Sequence, residues 1–241
     1  MQISPDTWIV LQIGPVPINA TIFFTWVVMA LLVLSALLVR LRLSASGELT
    51  RWQNLWEAVI ETMRGQIREV SGQEPGPYLP FVGTLFVFIA TTNILFTATS
   101  NIQAVVPRYA PPTGSLSTTT ALALCVLIAV PLFGLVQRGL GGYLRSYIQP
   151  TPLMAPFNIL GEMTRTLALA IRLYGNVMSG TVIVGILISI APFFFPVLMQ
   201  MLGLLTGVIQ AYIFAILAMV YIASATRNRA GAGAAKGDRN D

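Results

Sequence analysis

From Ser146 to Thr226 the chain runs 81 residues with only three charged side chains, Glu162, Arg165 and Arg172. A soluble fold could make no surface from such a stretch. Roughly 18 or more consecutive apolar residues read as a spanning helix, and this run is several times longer. The rest of the chain agrees: it is 55% hydrophobic and 10% charged, where ordinary soluble domains carry about 25% charged residues. Mean hydropathy is +0.75. Pro192 and Pro196 punctuate the run around Phe193, Phe194 and Phe195. It therefore divides into two helices, about 152–190 and 197–225, joined by a tight turn. At 1.5 Å per residue the first reaches roughly 55 to 60 Å, about twice the hydrocarbon thickness. Such a helix must tilt strongly, kink or leave the membrane in part.

Three further spans precede this pair, at about 21–39, 79–96 and 118–136. Gly14, Pro15 and Pro17 break the chain before the first, which suits a loop or short re-entrant piece. Residues 49–70 differ from all the spans. Trp52, Leu55, Trp56, Val59, Ile60, Met63 and Ile67 recur at helical spacing, and Arg51, Glu57, Glu61, Arg64 and Arg68 fill the other faces. That amphipathic pattern predicts a helix lying in the membrane interface. A hinge at 74–78 follows it, and a Pro-, Ser- and Thr-rich loop occupies 97–117. The expected fold is thus an all-α membrane protein. It has about five membrane-crossing helices plus one amphipathic interfacial helix, the last two spans forming a long tilted hairpin. Residues 1–225 form one integral membrane domain, and 226–241 form a disordered Gly-, Ala- and Arg-containing tail.

Basic residues set the orientation. Arg40, Arg42, Arg51, Arg64, Arg68, Arg138, Arg145, Arg227, Arg229, Lys236 and Arg239 all fall on one side of the five spans, and Arg108 alone on the other. The N-terminus is expected outside and the tail in the cytoplasm. The net charge of +5 reflects these flanks rather than a nucleic-acid surface. Met1 to Ala20 lacks a basic start and a small-residue cleavage site, so it does not read as a cleaved signal peptide. The single cysteine, Cys125, lies in an apolar run and closes no intrachain disulfide. The chain contains no histidine, the commonest metal ligand and the easiest proton shuttle near neutral pH.

On the penultimate helix Asn158, Glu162, Arg165, Arg172, Asn176 and Ser179 are separated by 4, 3, 7, 4 and 3 residues, which keeps them on one face. An arginine at the centre of a span costs roughly 2.5 to 3.5 kcal/mol on insertion scales, so it marks function by default. Glu162 is ten residues, about 15 Å, from Arg172, too far for a direct pair. Arg165 is the expected partner of Glu162. A structural role for Arg172, near the interface of a tilted helix, is the plainer alternative. The last helix carries a matching stripe of Gln200, Gly203, Gly207, Gln210, Phe214 and Tyr221. Gly203 and Gly207 permit close helix approach. The Gln210 amide needs partners in a dry setting, and Arg172 and Asn176 are candidates.

These residues resemble subunit a of the F-type ATP synthases. Ala170-Ile171-Arg172-Leu173-Tyr174-Gly175-Asn176 is similar to the signature of that family. Tyr147 to Pro152, Pro156 to Leu160, Pro80 to Thr84, Thr92-Asn93 and Gln210 to Phe214 resemble its other segments in order. The likeness covers about Ile13 to Ala225. It implies a non-catalytic stator subunit that offers two half-channels to a rotating ring of c subunits, with Arg172 separating them. The implied ion-translocation residues are Arg172, Asn176, Gln210, Glu162, Arg165 and Ser179. Asn158, Thr181, Gln200, Tyr221, Glu57 and Glu61 are candidates to line the half-channels. The implied partners are the c-ring, peripheral-stalk b-type subunits and membrane lipid, with the catalytic head reached only through the complex. No cofactor, metal or nucleic acid is implied. A bacterial plasma membrane is the expected location.

One departure stands out. Many members place an acidic residue eight or nine positions after the arginine, or use a histidine partner, whereas this chain has Gly180 and Thr181 there and no histidine. Water, or Glu57, Glu61 or Glu162, could fill that gap, or the ion is sodium; base rate favours protons. The main rival is a polytopic secondary transporter with its own substrate site, which would be built from internal repeats, and none is visible. A membrane anchor would need no central arginine. An enzyme would need a nucleophile–base pair or metal cluster, and no phosphate-binding glycine loop appears.

Overall fold

The computed structural model describes residues 9–13, 16–41, 51–100, 111–148, 154–190 and 194–226. The tail beyond Thr226 lies outside the described residues. Six long helices follow one another: α1 (Ala20–Leu41), α2 (Arg51–Ser71), α3 (Leu79–Ser100), α4 (Leu116–Ile148), α5 (Met154–Ile190) and α6 (Phe195–Thr226). All but α2 are long and apolar enough to cross a membrane. The chain is an integral membrane protein of the all-α class, with the amphipathic helix where the pattern of Trp and Arg put it.

α6 is the centre of the bundle. It packs against α2, α3, α4 and α5. Ala211, Ala215 and Ala218 on α6 are fully buried, beside Phe214, Met219 and Ile222. Small side chains let helix backbones approach closely where lipid supplies no hydrophobic drive. α3 answers with Val82, Leu85 and Ile89, and α5 with Leu169, Ala170 and Leu173. Outward positions such as Trp26, Val33, Leu34 and Ile128 are apolar and exposed, as lipid requires.

Three details depart from the expectations. First, Ile9–Ile13 and Val16–Asn19 are strands β1 and β2, paired antiparallel with Ile13 opposite Val16. Pro17, one of the residues that suggested an irregular piece, lies within β2 opposite Gln12, and both strands are rich in Ile and Val; Gly14 and Pro15 lie outside the described residues. Second, α3 continues to Ser100 through what read as loop. The Thr97 and Thr99 hydroxyls donate to the carbonyls of Asn93 (3.2 Å) and Leu95 (2.7 Å), so these polar residues are satisfied within the helix. Third, residues 111–115 of that supposed loop are buried. Their 3-10 turn, Pro112–Gly114, is closed by Gly114 N–H to the Pro111 carbonyl at 2.9 Å. The turn packs among α1, α3, α4 and α5.

α4 breaks at Gly139, whose φ of 72° lies in the left-handed region that glycine adopts at little cost. The break divides the membrane span from the segment that carries Arg145. Nearby, the buried Tyr78 hydroxyl donates to Gln73 Oε1 at 2.6 Å and accepts from Gln137 Nε2. This pins the hinge between α2 and α3 to the end of the α4 span.

Candidate functional site

α5 packs through one narrow ridge. Leu169, Ala170, Leu173 and Val177 are buried, spaced as neighbours on one helix face. Only 11% of its membrane window is buried within the chain, against 39% for α6. At 100° per residue the stripe of Asn158, Glu162, Arg165, Arg172, Asn176 and Ser179 is turned roughly 80° from that ridge. It lies on the flank of α5, with one edge at the packed face and the other looking out of the chain. Arg172 is exposed and makes no ion pair among the described residues; the ion pairs described there are Arg64–Glu61 and Arg68–Glu74 on and beside α2. Among the described residues the Arg172 guanidinium thus has no ionic partner, on a side of α5 turned away from its buried ridge.

Arg165 is not ion-paired with Glu162 as the spacing suggested. Its guanidinium instead stands over the Tyr221 ring of α6, 5.7 Å from the centroid. This is cation–π geometry, and it marks one place where α5 and α6 pass each other. Seven residues from Arg165 toward the turn lies Arg172, and seven from Tyr221 lies Phe214. Equal rise in antiparallel helices then carries Arg172 to about the level of Phe214, and Asn176 to about that of Gln210, within the reach of an arginine side chain. The turn agrees, since α5 ends at Ile190 and α6 begins at Phe195.

Gln210 is buried, and its Nε2 has no hydrogen-bond partner. Neither Arg172 nor Asn176 receives it, contrary to expectation. A buried amide left without a partner costs about 1–3 kcal/mol, which sets Gln210 apart from the apolar residues around it. Gln200 Oε1 is likewise buried without a partner nearer the turn. Ser179 and Thr181 spend their hydroxyl protons on their own helix, at the carbonyls of Asn176 (3.2 Å) and Met178 (2.8 Å). Asn158 is exposed. Glu57 and Glu61 are exposed on α2, where Glu61 lies 3.7 Å from Arg64. α2 packs on α3 and α6, so the structure does not gather these two carboxylates into the α5 stripe. Among the described residues no cluster of three metal-ligating side chains occurs.

Sequence reasoning missed a polar network one turn from Gln210. Asn93 on α3 is buried; its Nδ2 donates to the Gly207 carbonyl of α6 at 2.9 Å, and its Oδ1 accepts from Thr113 Oγ1 at 2.9 Å. The available signal was the one amide inside the second apolar span. Tyr212 also donates from its hydroxyl to Gln66 Oε1 of α2 at 2.6 Å.

Comparison with known proteins gives a consistent picture. The family model described as ATP synthase A chain matches residues 22–223. The chain is 58% identical to "ATP synthase subunit a 2" of Acaryochloris marina, over 94% of each chain. It is 54% identical to "ATP synthase subunit a" of Albidiferax ferrireducens, over 95% of this chain and 96% of that one. It is 55% identical to "ATP synthase subunit a 1" of Chlorobaculum parvum, over 95% and 98%.

Proposed function

The chain belongs to the ATP synthase subunit a family, and from that premise we propose that it is the ion-translocating stator of a rotary ATP synthase. In this reading α5 and α6 face a ring of c subunits, each carrying a carboxylate in the membrane. Two half-channels reach that interface from opposite sides, and Arg172 stands between them. The observation that carries the reading is the placement of Arg172: exposed, without an ion pair among the described residues, on the outer flank of a helix barely buried in its own chain.

The physics suits the role. A guanidinium stays charged at any working pH. It favours the ionised form of a carboxylate brought beside it, so it releases the bound cation and attracts the empty site. It also repels a free cation that would cross directly. Each elementary charge moved supplies about 2.3 kcal/mol per 100 mV. Asn176 and Gln210, level with each other, would orient Arg172 or line the route, with Glu162, Ser179, Thr181 and Gln200 as further lining groups. Peripheral-stalk subunits and lipid would cover the apolar surfaces that remain. The excess of arginine on one flank supports an external N-terminus and a cytoplasmic tail, in a bacterial plasma membrane.

The test is Arg172→Ala in the assembled complex, reconstituted in vesicles and driven by proton or sodium gradients in separate arms. The expected result is intact assembly with ATP synthesis lost by at least about a hundredfold, the size of effect that removing a key electrostatic group produces. The cation that drives the unaltered complex names the ion. Near-normal synthesis by the variant would remove Arg172 from the mechanism.

A further inference from the structure

We propose that Arg165 and Tyr221 form a clamp that sets the register of α5 against α6, and that Arg165 is thereby a positioning residue for Arg172. The proposal rests on the stator reading for its consequence, but not for its geometry.

α5 needs such a device. It is 37 residues long and buries little of its membrane span within the chain. Its ridge of Leu169, Ala170, Leu173 and Val177 is apolar and contains no polar contact with α6 among the described bonds. Apolar ridges at helical spacing can slide by a turn and still find grooves. The connection near residues 191–194 ties one end of the hairpin only. Arg165 lies 25 residues before the end of α5, so this end of the hairpin needs its own fixing point about 37 Å away. The described contact there is directional: the Arg165 guanidinium over the Tyr221 ring at 5.7 Å. In a membrane setting that contact gains strength, because little water competes for the cation. Arg165 also has no ion pair among the described residues, so the ring is what holds it.

A slip of one turn would carry the Arg172–Asn176 segment about 5.4 Å along α6. Asn176 would no longer stand level with Gln210, and Arg172 would meet a ring carboxylate at the wrong height. The role differs from that of Arg172, since Arg165 acts on the ion through geometry alone.

The test uses the assembled complex with Cys125→Ala and paired Asn176→Cys and Gln210→Cys substitutions as a register probe, cross-linked by a short bifunctional maleimide. Synthesis is measured in the same complexes without the paired cysteines. Tyr221→Leu and Arg165→Gln are each expected to lower cross-linking and to slow gradient-driven synthesis by about three- to thirtyfold at matched amounts of complex. Tyr221→Phe keeps the ring, and it should recover most of what Tyr221→Leu loses in both readouts. The double variant should be little worse than either single one, because both remove the same contact. Unchanged cross-linking in Tyr221→Leu would overturn the clamp whatever becomes of the stator reading. Effects of the two substitutions that simply add, or no recovery in Tyr221→Phe, would overturn it as well. Failure of the stator reading shows separately, as normal synthesis by Arg172→Ala.

Discussion

Gly203 and Gly207 look alike as a small-xxx-small pair, yet they stand in different places. A Cβ built on Gly207 would come within 3.0 Å of the Asn93 Cβ and 3.2 Å of its Cγ, whereas one on Gly203 would meet nothing within 4 Å. Only Gly207 is therefore needed for packing inside this chain. Gly207→Ala is expected to destabilise the purified complex by about 1–3 kcal/mol, the usual cost of overpacking. Gly203→Ala should be neutral or slightly stabilising, since alanine favours the helix. Thermal unfolding of the two variants side by side decides this; equal midpoints would refute it. The residue scale is also where sequence reasoning was least complete. The stripe on α5 was readable because its spacing is regular. That Arg165 turns to Tyr221 instead of Glu162 was not, because both partners lie within reach and only the approach of α6 selects between them. Asn93 shows the same limit: its amide was visible, but its partners Gly207 and Thr113 are 114 and 20 residues away.

Among the elements, α2 is tied to α6 by the bond from Tyr212 to Gln66. Interhelical hydrogen bonds in membrane proteins contribute about 0.6 kcal/mol on average and up to about 1.7. Tyr212→Phe should then raise hydrogen exchange across Arg51–Ser71 by about three- to fifteenfold in the assembled complex. Unchanged exchange would mean that buried Met63 and Ile67 hold α2 without help. The existence of the long helices was legible from the sequence, because length and apolar runs agree there, but not every limit: α3 runs past Phe96 to Ser100 and α4 past Val136 to Ile148. The hairpin β1–β2 and the buried Pro112–Gly114 turn were not. Both are too short to carry a period, and the same Pro and Gly residues serve loops, hairpins and packed turns alike.

For the whole molecule, the proposed topology rests on charge asymmetry. With Arg residues gathered on one flank, a cysteine replacing Lys236 should react with a membrane-impermeant thiol reagent from the cytoplasmic side alone in vesicles of known sidedness, and labelling from the outer side would reverse the proposed orientation. The length of α5 has a consequence of its own. Thirty-seven residues span about 55 Å. Held within hydrocarbon about 30 Å thick, such a rod leans at roughly 57° to the membrane normal. Each residue along it then advances about 1.3 Å sideways and only about 0.8 Å in depth. At that tilt, sequence position on α5 would be chiefly a coordinate in the membrane plane. Arg172 and Ser179, seven residues apart, would then stand about 9 Å from each other laterally, which is the distance between neighbouring packed helices.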